Sequence, residues 1–176
     1  MIYVFLADDF EELEAIAPID LLRRAKVPVQ TVSMSSTATG SHDITVHCDC
    51  NSINLANCTG VILPGGPGHK VLAQSDIVRD YLAAVAAKQG MLAAICAAPS
   101  ILGEQGYLQG RRATCYPGFE HTLHGATIVD APVMTDGNVI TAKAAGASID
   151  FGLACVEYLC GKEKADEIAL QICYDR

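Results

Sequence analysis

A doubly wound α/β fold, with a mostly parallel sheet, helices on both faces and a small β-hairpin, is predicted by two patterns. Short uncharged runs at Ile2 to Ala7, Gly60 to Pro64 and Met91 to Ile95 have the length and uniform apolarity of strands buried on both faces. Stretches with apolar residues at helical spacing lie between them, and strands alternating with helices build a parallel sheet. Composition agrees, because 176 residues at 51% hydrophobic and 18% charged can bury an ample core. One domain over residues 1–176 is expected.

After the first strand, Asp8 or Asp9 is expected to cap a helix whose first turn carries Glu11, Glu12 and Glu14, as the helix dipole favours. Leu13, Ala17 and Leu21 fall on one face of it, and Pro18 is expected to kink or break it. Val27 to Met34 reads as the second strand, Ser35 to Ser41 as a Ser/Thr/Gly loop, and Asp43 to Cys50 alternates like an exposed strand or hairpin arm. Gly65-Gly66-Pro67-Gly68 can neither continue a strand nor start a helix, which leaves a tight loop of bare backbone. Ser75 to Lys88 is amphipathic, with Ile77, Val78, Tyr81, Leu82 and Val85 as its apolar stripe. A strand is expected near Arg112 to Cys115. Asp136-Gly137-Asn138 between Val133 to Thr135 and Val139 to Ala142 signals a hairpin. A last helix from about Ala147 to Leu159 stops at Gly161, and Lys162 to Arg176 forms a short amphipathic tail.

Charge and cysteine usage narrow the function classes. Twelve basic against twenty acidic residues give a net charge of −8, and no Lys/Arg cluster offsets it, so nucleic acid is not an expected ligand. Eight cysteines are too sparse for a disulfide scaffold, and none falls in a C-x-x-C pair. Met1 to Ala7 lacks a basic flank and runs straight into Asp8 and Asp9, so it reads as a strand and not a signal peptide. No apolar stretch approaches the roughly 20 residues that span a bilayer. Reduced thiols in a cytoplasmic protein, with no membrane partner, are the expectation.

The chemistry centres on Cys96. Met91 to Ile95 ends at Cys96 and Pro99 suits the first turn of a helix, so the thiol falls on a strand-to-helix turn flanked by the small Ala94 and Ala98. Free N–H groups and the positive end of the helix there favour a thiolate, and a strongly depressed thiol pKa is expected of Cys96 alone. A buried core cysteine is the plainer alternative. In open α/β sheets, ligands bind beyond the carboxyl ends of the strands. The acidic turn Asp8 to Glu14, the Gly65-Gly66 loop and Cys96 all fall at such ends, on one edge. The N–H groups of Gly66 and Ala97 are candidate oxyanion donors, and Glu14 is the candidate proton carrier, protonated when Cys96 is a thiolate. An ordinary first-turn glutamate is the plainer reading of Glu14.

Other polar clusters carry less. Alternation puts Cys48 and Cys50 on one face, and that pair does not close a tetrahedral site, so no metal is expected. His121 and His124 read as a solvated pair, and Cys58, Cys155, Cys160 and Cys173 as small apolar residues. Cys115, Tyr116 and Pro117 border the pocket as candidate lining.

The stretches Phe10-Glu-Glu-Leu-Glu14, Pro18-Ile-Asp-Leu-Leu-Arg-Arg-Ala25, Val61-Ile-Leu-Pro-Gly-Gly66, Ala93-Ala-Ile-Cys-Ala-Ala-Pro99 and Thr141 to Leu153 together resemble the ThiJ/PfpI superfamily. The likeness is to the branch of the parkinsonism-associated protein DJ-one and its bacterial relatives. It implies a flavodoxin-like sandwich, usually a homodimer, with a reactive cysteine that oxidises readily to sulfinate. The family's glutamate falls on Glu14, and its sulfur and oxyanion contacts on Gly65, Gly66 and Ala97. Implied activities are cofactor-independent conversion of methylglyoxal to lactate and removal of early glycation adducts from protein, so a small carbonyl or a glycated protein is the expected partner. A non-catalytic redox sensor or redox-regulated chaperone in the oxidative-stress response is the implied alternative.

This chain departs from the family pattern twice. Ala97 stands where the protease-like branches carry histidine, which argues against peptide hydrolysis. Tyr116 stands where the DJ-one protein has a histidine before proline, and a phenol with a pKa near 10 is a poor base at neutral pH.

Overall fold

The computed structural model describes residues 1–175. Along β1 (Ile2–Phe5), Ile2 and Val4 enter one core and Tyr3 and Phe5 the other, so the strand has no solvent face. The same holds for β5 (Gly60–Leu63) and β6 (Met91–Ile95), every residue of which is buried. With β2 (Val29–Val32), β9 (Val133–Asp136) and β10 (Val139–Ala142) they form a six-stranded sheet of order β2-β1-β5-β6-β10-β9. Pairing is parallel throughout except at the edge, where β9 and β10 form an antiparallel hairpin across Gly137-Asn138.

Helices cover both faces. One core holds Ala15, Ile19 and Leu22 of α1 (Glu12–Arg24), Phe151 and Val156 of α5 (Ser148–Cys160), and Ile168 of α6 (Lys162–Gln171). The other holds Leu72 of α2 (His69–Gln74), Val78, Tyr81, Leu82 and Val85 of α3 (Asp76–Ala87), and Ile101 and Leu102 of α4 (Pro99–Glu104). Each fully buried large aliphatic side chain contributes about 1.5–3 kcal/mol, which is why these stripes decide the layer order. Two short pairs sit outside the main sheet: the hairpin β3 (Thr37–Thr39) with β4 (Thr45–His47), and β7 (Arg112–Ala113) with β8 (Thr127–Ile128).

Several local expectations are corrected. Glu11, not Asp8 or Asp9, caps α1, its carboxylate accepting from the Glu14 N–H at 2.8 Å. Asp8 instead accepts from the Thr39 N–H at 2.9 Å, which ties the turn to the β3–β4 hairpin. Leu13 is 61% exposed and the inward face runs through Ala15, Ile19 and Leu22. Pro18 does not break α1. It packs against α5 at Gly152, where an added Cβ would lie 3.0 Å from the Pro18 Cα, so the helices approach closely. Ser35 to Ser41 contains β3, because pairing with β4 organises Thr37 to Thr39. The glycine loop does start a helix, Gly68 serving as the N-cap of α2. Ile77 is 40% exposed, outside the buried stripe of α3. Cys160 and Cys173 are exposed, unlike Cys58 and Cys155, and all eight cysteines are free thiols. The tail after Gly161 is α6, and Arg176 lies outside the described residues. Among the described residues, no helix is long and apolar enough to cross a membrane.

Candidate functional site

Cys96 follows β6 with φ +65°, the left-handed region that side-chain-bearing residues rarely adopt. Bonds on both sides hold that conformation: the Cys96 N–H donates to the Ala142 carbonyl at 2.9 Å, and the Cys96 carbonyl accepts from the Tyr116 N–H at 2.8 Å. Ala94 and Ala98 are fully buried on either side, where larger side chains have no room. The turn leaves the thiol part-exposed, and the N–H groups of Gly66 and Ala97 are in hydrogen-bonding position to it. α4 spans only Pro99–Glu104, so these local amides matter more to the sulfur than a long-range dipole.

Glu14 reaches the same place from α1. It is 1% exposed, and its Oε2 accepts from the Gly65 N–H at 2.8 Å. A Cβ added at Gly65 would lie 2.6 Å from that oxygen, 2.7 Å from the Cys96 Cβ and 3.1 Å from its Sγ. Only glycine leaves this space for the carboxyl and the thiol together. Gly66, at φ +77°, has equally little room, since a side chain there would meet the Asp9 carbonyl at 2.5 Å. Two bonds strap the loop to the acidic turn: Glu11 N–H to the Gly65 carbonyl at 3.1 Å, and Gly68 N–H to the Asp9 carbonyl at 2.9 Å. The acidic turn, the glycine loop and Cys96 thus form one cluster.

Electrostatics at the pair run against the expected depressed thiol. Burial and the charge of Glu14 push the Cys96 thiol up to about 12, while the N–H groups of Gly66 and Ala97 pull it down. Burial also pushes the Glu14 carboxyl up to about 7, against the lowering effect of the Gly65 N–H and Cys96. Local amides and a protonated Glu14 favour a thiolate, but burial and the ionised form of Glu14 outweigh them here. Near neutrality Glu14 can keep its proton, and in that form it offers an O–H donor and no repelling charge to a thiolate. Below about 7 both groups hold a proton and above it the one that remains sits on sulfur, so a thiolate forms only by passing its proton to the Glu14 carboxylate.

The remaining candidates lie at the margin. Cys115 is 4% exposed and its thiol is pushed up to about 11 by burial and the charge of Glu120. Tyr116 is 46% exposed and Pro117 is exposed, and Tyr116 touches the elbow through its backbone N–H. Carboxylate and imidazole donors converge at Glu11, Glu12 and His42, whose ligand atoms lie within 4.8 Å of one another. There Glu12 already accepts from the His42 backbone N–H and pairs with its Nδ1, both at 2.7 Å. Asp49, between Cys48 and Cys50, is engaged by Arg23 and Thr31. A cavity of about 580 Å³ between the ends of β1 and β2 and the start of α3 is lined by Asp8 but not by Cys96, Glu14, Gly65, Gly66 or Ala97. Sequence reasoning missed His69, whose Nδ1 lies 2.8 Å from the Gly66 carbonyl oxygen. Its only sequence signal is its position just after the glycine loop.

Known proteins share this architecture. The DJ-1/PfpI family pattern matches residues 1–158. Protein dj-1beta of Drosophila melanogaster is 36% identical over 173 residues, spanning 94% of this chain and 92% of the relative. A protein of Pyrococcus abyssi named as a deglycase is 30% identical over 150 residues, 82% of this chain and 90% of its own. The structure of oxidised Toxoplasma gondii DJ-1 superposes with a TM-score of 0.94 at 31% identity, covering 99% of this chain and 98% of that one. With the flavodoxin-like fold shared over nearly the whole chain and the family pattern spanning most of it, this chain belongs to the DJ-1/PfpI family.

Proposed function

We propose that the chain, acting as one domain, is a cofactor-independent enzyme for small reactive carbonyls, of the glyoxalase or protein deglycase type. The carrying observation is the shared space at Gly65, which sets a buried carboxyl and a part-exposed thiol side by side. The name of the archaeal relative, a deglycase, supports a glycated protein or a carbonyl compound as substrate.

The chemistry follows from the geometry. Cys96 Sγ, its proton held by Glu14, adds to the aldehyde carbon of methylglyoxal and forms a C–S bond. The oxygen takes up negative charge facing the N–H groups of Gly66 and Ala97 and then a proton, giving a hemithioacetal. Glu14 as carboxylate removes the hydrogen from that carbon, the hydroxyl proton passes to the ketone oxygen, and Glu14 returns its proton to the neighbouring carbon, turning aldehyde and ketone into thioester and alcohol. Water then cleaves the thioester, so methylglyoxal and water become lactate and the thiol is restored.

The test is lactate production by wild type and Cys96→Ser, with catalase and a metal chelator present. Wild type should turn over and Cys96→Ser should fall to background. Turnover by wild type no faster than free thiol at equal concentration rejects the enzyme. That outcome would favour a redox sensor or redox-regulated chaperone, in which Cys96 oxidises to sulfinic acid. The part-exposed sulfur between amide donors supports this second reading, since the same amides can hold a sulfinate oxygen.

The family likeness and exposed apolar side chains on α1 and the hairpin, Leu13, Ile16 and Ile44, support a homodimer. Light scattering that gives the single-chain mass of 18.6 kDa at micromolar concentration would rule it out. Eight free thiols support a reducing compartment, the cytoplasm, which cell fractionation tests.

A further inference from the structure

The amides facing Cys96 are held from behind. Gly66 follows another glycine and sits at φ +77°, so its own chain does little to keep its N–H aimed at the sulfur. Three bonds do that instead. Glu11 N–H holds the Gly65 carbonyl, on the peptide that carries the Gly66 N–H, and His69 holds the carbonyl of Gly66 itself twice, with its backbone N–H at 3.1 Å and its imidazole at 2.8 Å. A carbonyl only accepts, so the proton in that bond is on His69 Nδ1. The ring is 8% exposed and stands edge-on to Phe119, with centroids 5.5 Å apart. Phe119 closes the turn that starts at Tyr116, the residue whose N–H holds the Cys96 carbonyl. Ser100 plays the matching part at the other amide, donating to the Ala97 carbonyl at 2.7 Å. His69, Ser100 and Phe119 meet in a cavity of about 320 Å³ whose charged walls are Lys70 and Glu104.

We infer that His69 is a positioning residue for the Cys96 thiolate: its Nδ1–H locks the Gly66 backbone behind the sulfur, and its ring props the 116–119 turn that holds the elbow. This rests on the reading of Cys96 and Glu14 as the working pair. His69 does not touch substrate. Its effect is to keep a donor aligned.

The test uses the whole protein, iodoacetamide as probe, and peptide mass to read each cysteine across a pH series. His69→Leu keeps bulk against Phe119 without the donor. His69→Asn can place a side-chain N–H where Nδ1 was. His69→Leu should slow Cys96 alkylation at neutral pH by about two- to tenfold, the worth of one hydrogen bond, and displace its pH profile to the alkaline side. His69→Asn should return to within about twofold of wild type, and Cys115 should be unmoved in both. Alkylation in His69→Leu equal to wild type overturns the inference, as does His69→Asn as slow as His69→Leu with both melting like wild type. If His69→Leu does not fold, amide hydrogen exchange at Gly66 decides between His69→Asn, expected to be protected, and His69→Gln, expected not to be. Equal protection overturns it too. Slowed alkylation in His69→Leu alongside no wild-type turnover of methylglyoxal sinks the enzyme and spares this role, and the converse result sinks only this role.

Discussion

Cys96 and Cys115 lie on neighbouring loops, joined by the bond from the Tyr116 N–H to the Cys96 carbonyl, and burial pushes both thiols up, to about 12 and about 11. Their surroundings differ in everything else. Cys96 has a left-handed backbone, two amides facing its sulfur and a carboxyl that shares its space. Cys115 is almost wholly enclosed, with the charge of Glu120 as its electrostatic neighbour. Shielding alone therefore makes a thiol inert. A shielded thiol becomes useful when a second group can hold its proton and fixed donors wait for the charge.

Glu14→Gln attacks that difference most directly. Glutamine still fills the site and donates, but it cannot carry a proton between substrate carbons, so turnover should fall on the order of 10²- to 10⁴-fold. Cys96 alkylation on the alkaline side should instead rise, because the carboxylate that pushes the thiol up is gone. Turnover equal to wild type would remove Glu14 from the reaction. Stability supplies a second readout. Burial lifts the folded-state carboxyl from 4.5 to about 7, so the fold favours the protonated form. That contribution is fully present below the unfolded value of 4.5 and is lost as pH rises through about 7. The wild type should lose about 3 kcal/mol across this window relative to Glu14→Gln, seen in denaturant melts at several pH values. Parallel pH profiles would show that Glu14 titrates normally.

Gly65→Ala should have the next largest effect. The new methyl would lie 2.6 Å from Glu14 Oε2 and 2.7 Å from the Cys96 Cβ, so one of the pair must move. A displacement near 1 Å costs about a hundredfold in turnover. Crowding should also destabilise the fold by about 1–3 kcal/mol. Cys96 would then resemble Cys115, shielded but unpaired. Full activity in Gly65→Ala would mean that close approach of carboxyl and thiol is not what the reaction uses.

The two loops also differ in how far the sequence reveals them. Uniform apolar runs mark β1, β5 and β6 because strands buried on both faces admit little else. Cys96 stands out because an apolar strand, small neighbours and a following proline coincide there. The hairpin at Gly137-Asn138 is readable because its turn is set by local chemistry. β3 is not, since Thr37 to Thr39 owe their extended form to β4 and to Asp8. The cap of α1 escapes for a related reason. Asp8 and Asp9 have good capping chemistry, but the Asp8 carboxylate is taken by the hairpin and α1 starts only at Glu12, which leaves the adjacent Glu11 to cap. The raised thiol and the His69 contact depend on burial and on facing groups remote in sequence, which spacing does not carry.

Tyr116→Phe should have the smallest effect and marks where the elbow ends. The chain carries tyrosine where a histidine would share proton work, and the phenol belongs to a residue that is 46% exposed. What Tyr116 gives Cys96 is its backbone N–H, bonded at 2.8 Å, and phenylalanine keeps that bond. Loss of the hydroxyl removes at most one hydrogen bond to a substrate oxygen, on the order of 1 to 3 kcal/mol of transition-state energy and well short of the loss from removing Cys96. A hydrogen bond made equally to bound substrate and transition state raises KM with kcat unchanged, so steady-state kinetics on methylglyoxal separates binding from proton transfer. A fall in kcat as large as that of Glu14→Gln would mean that the phenol moves protons, and the acid–thiol pair would then be only part of the machinery.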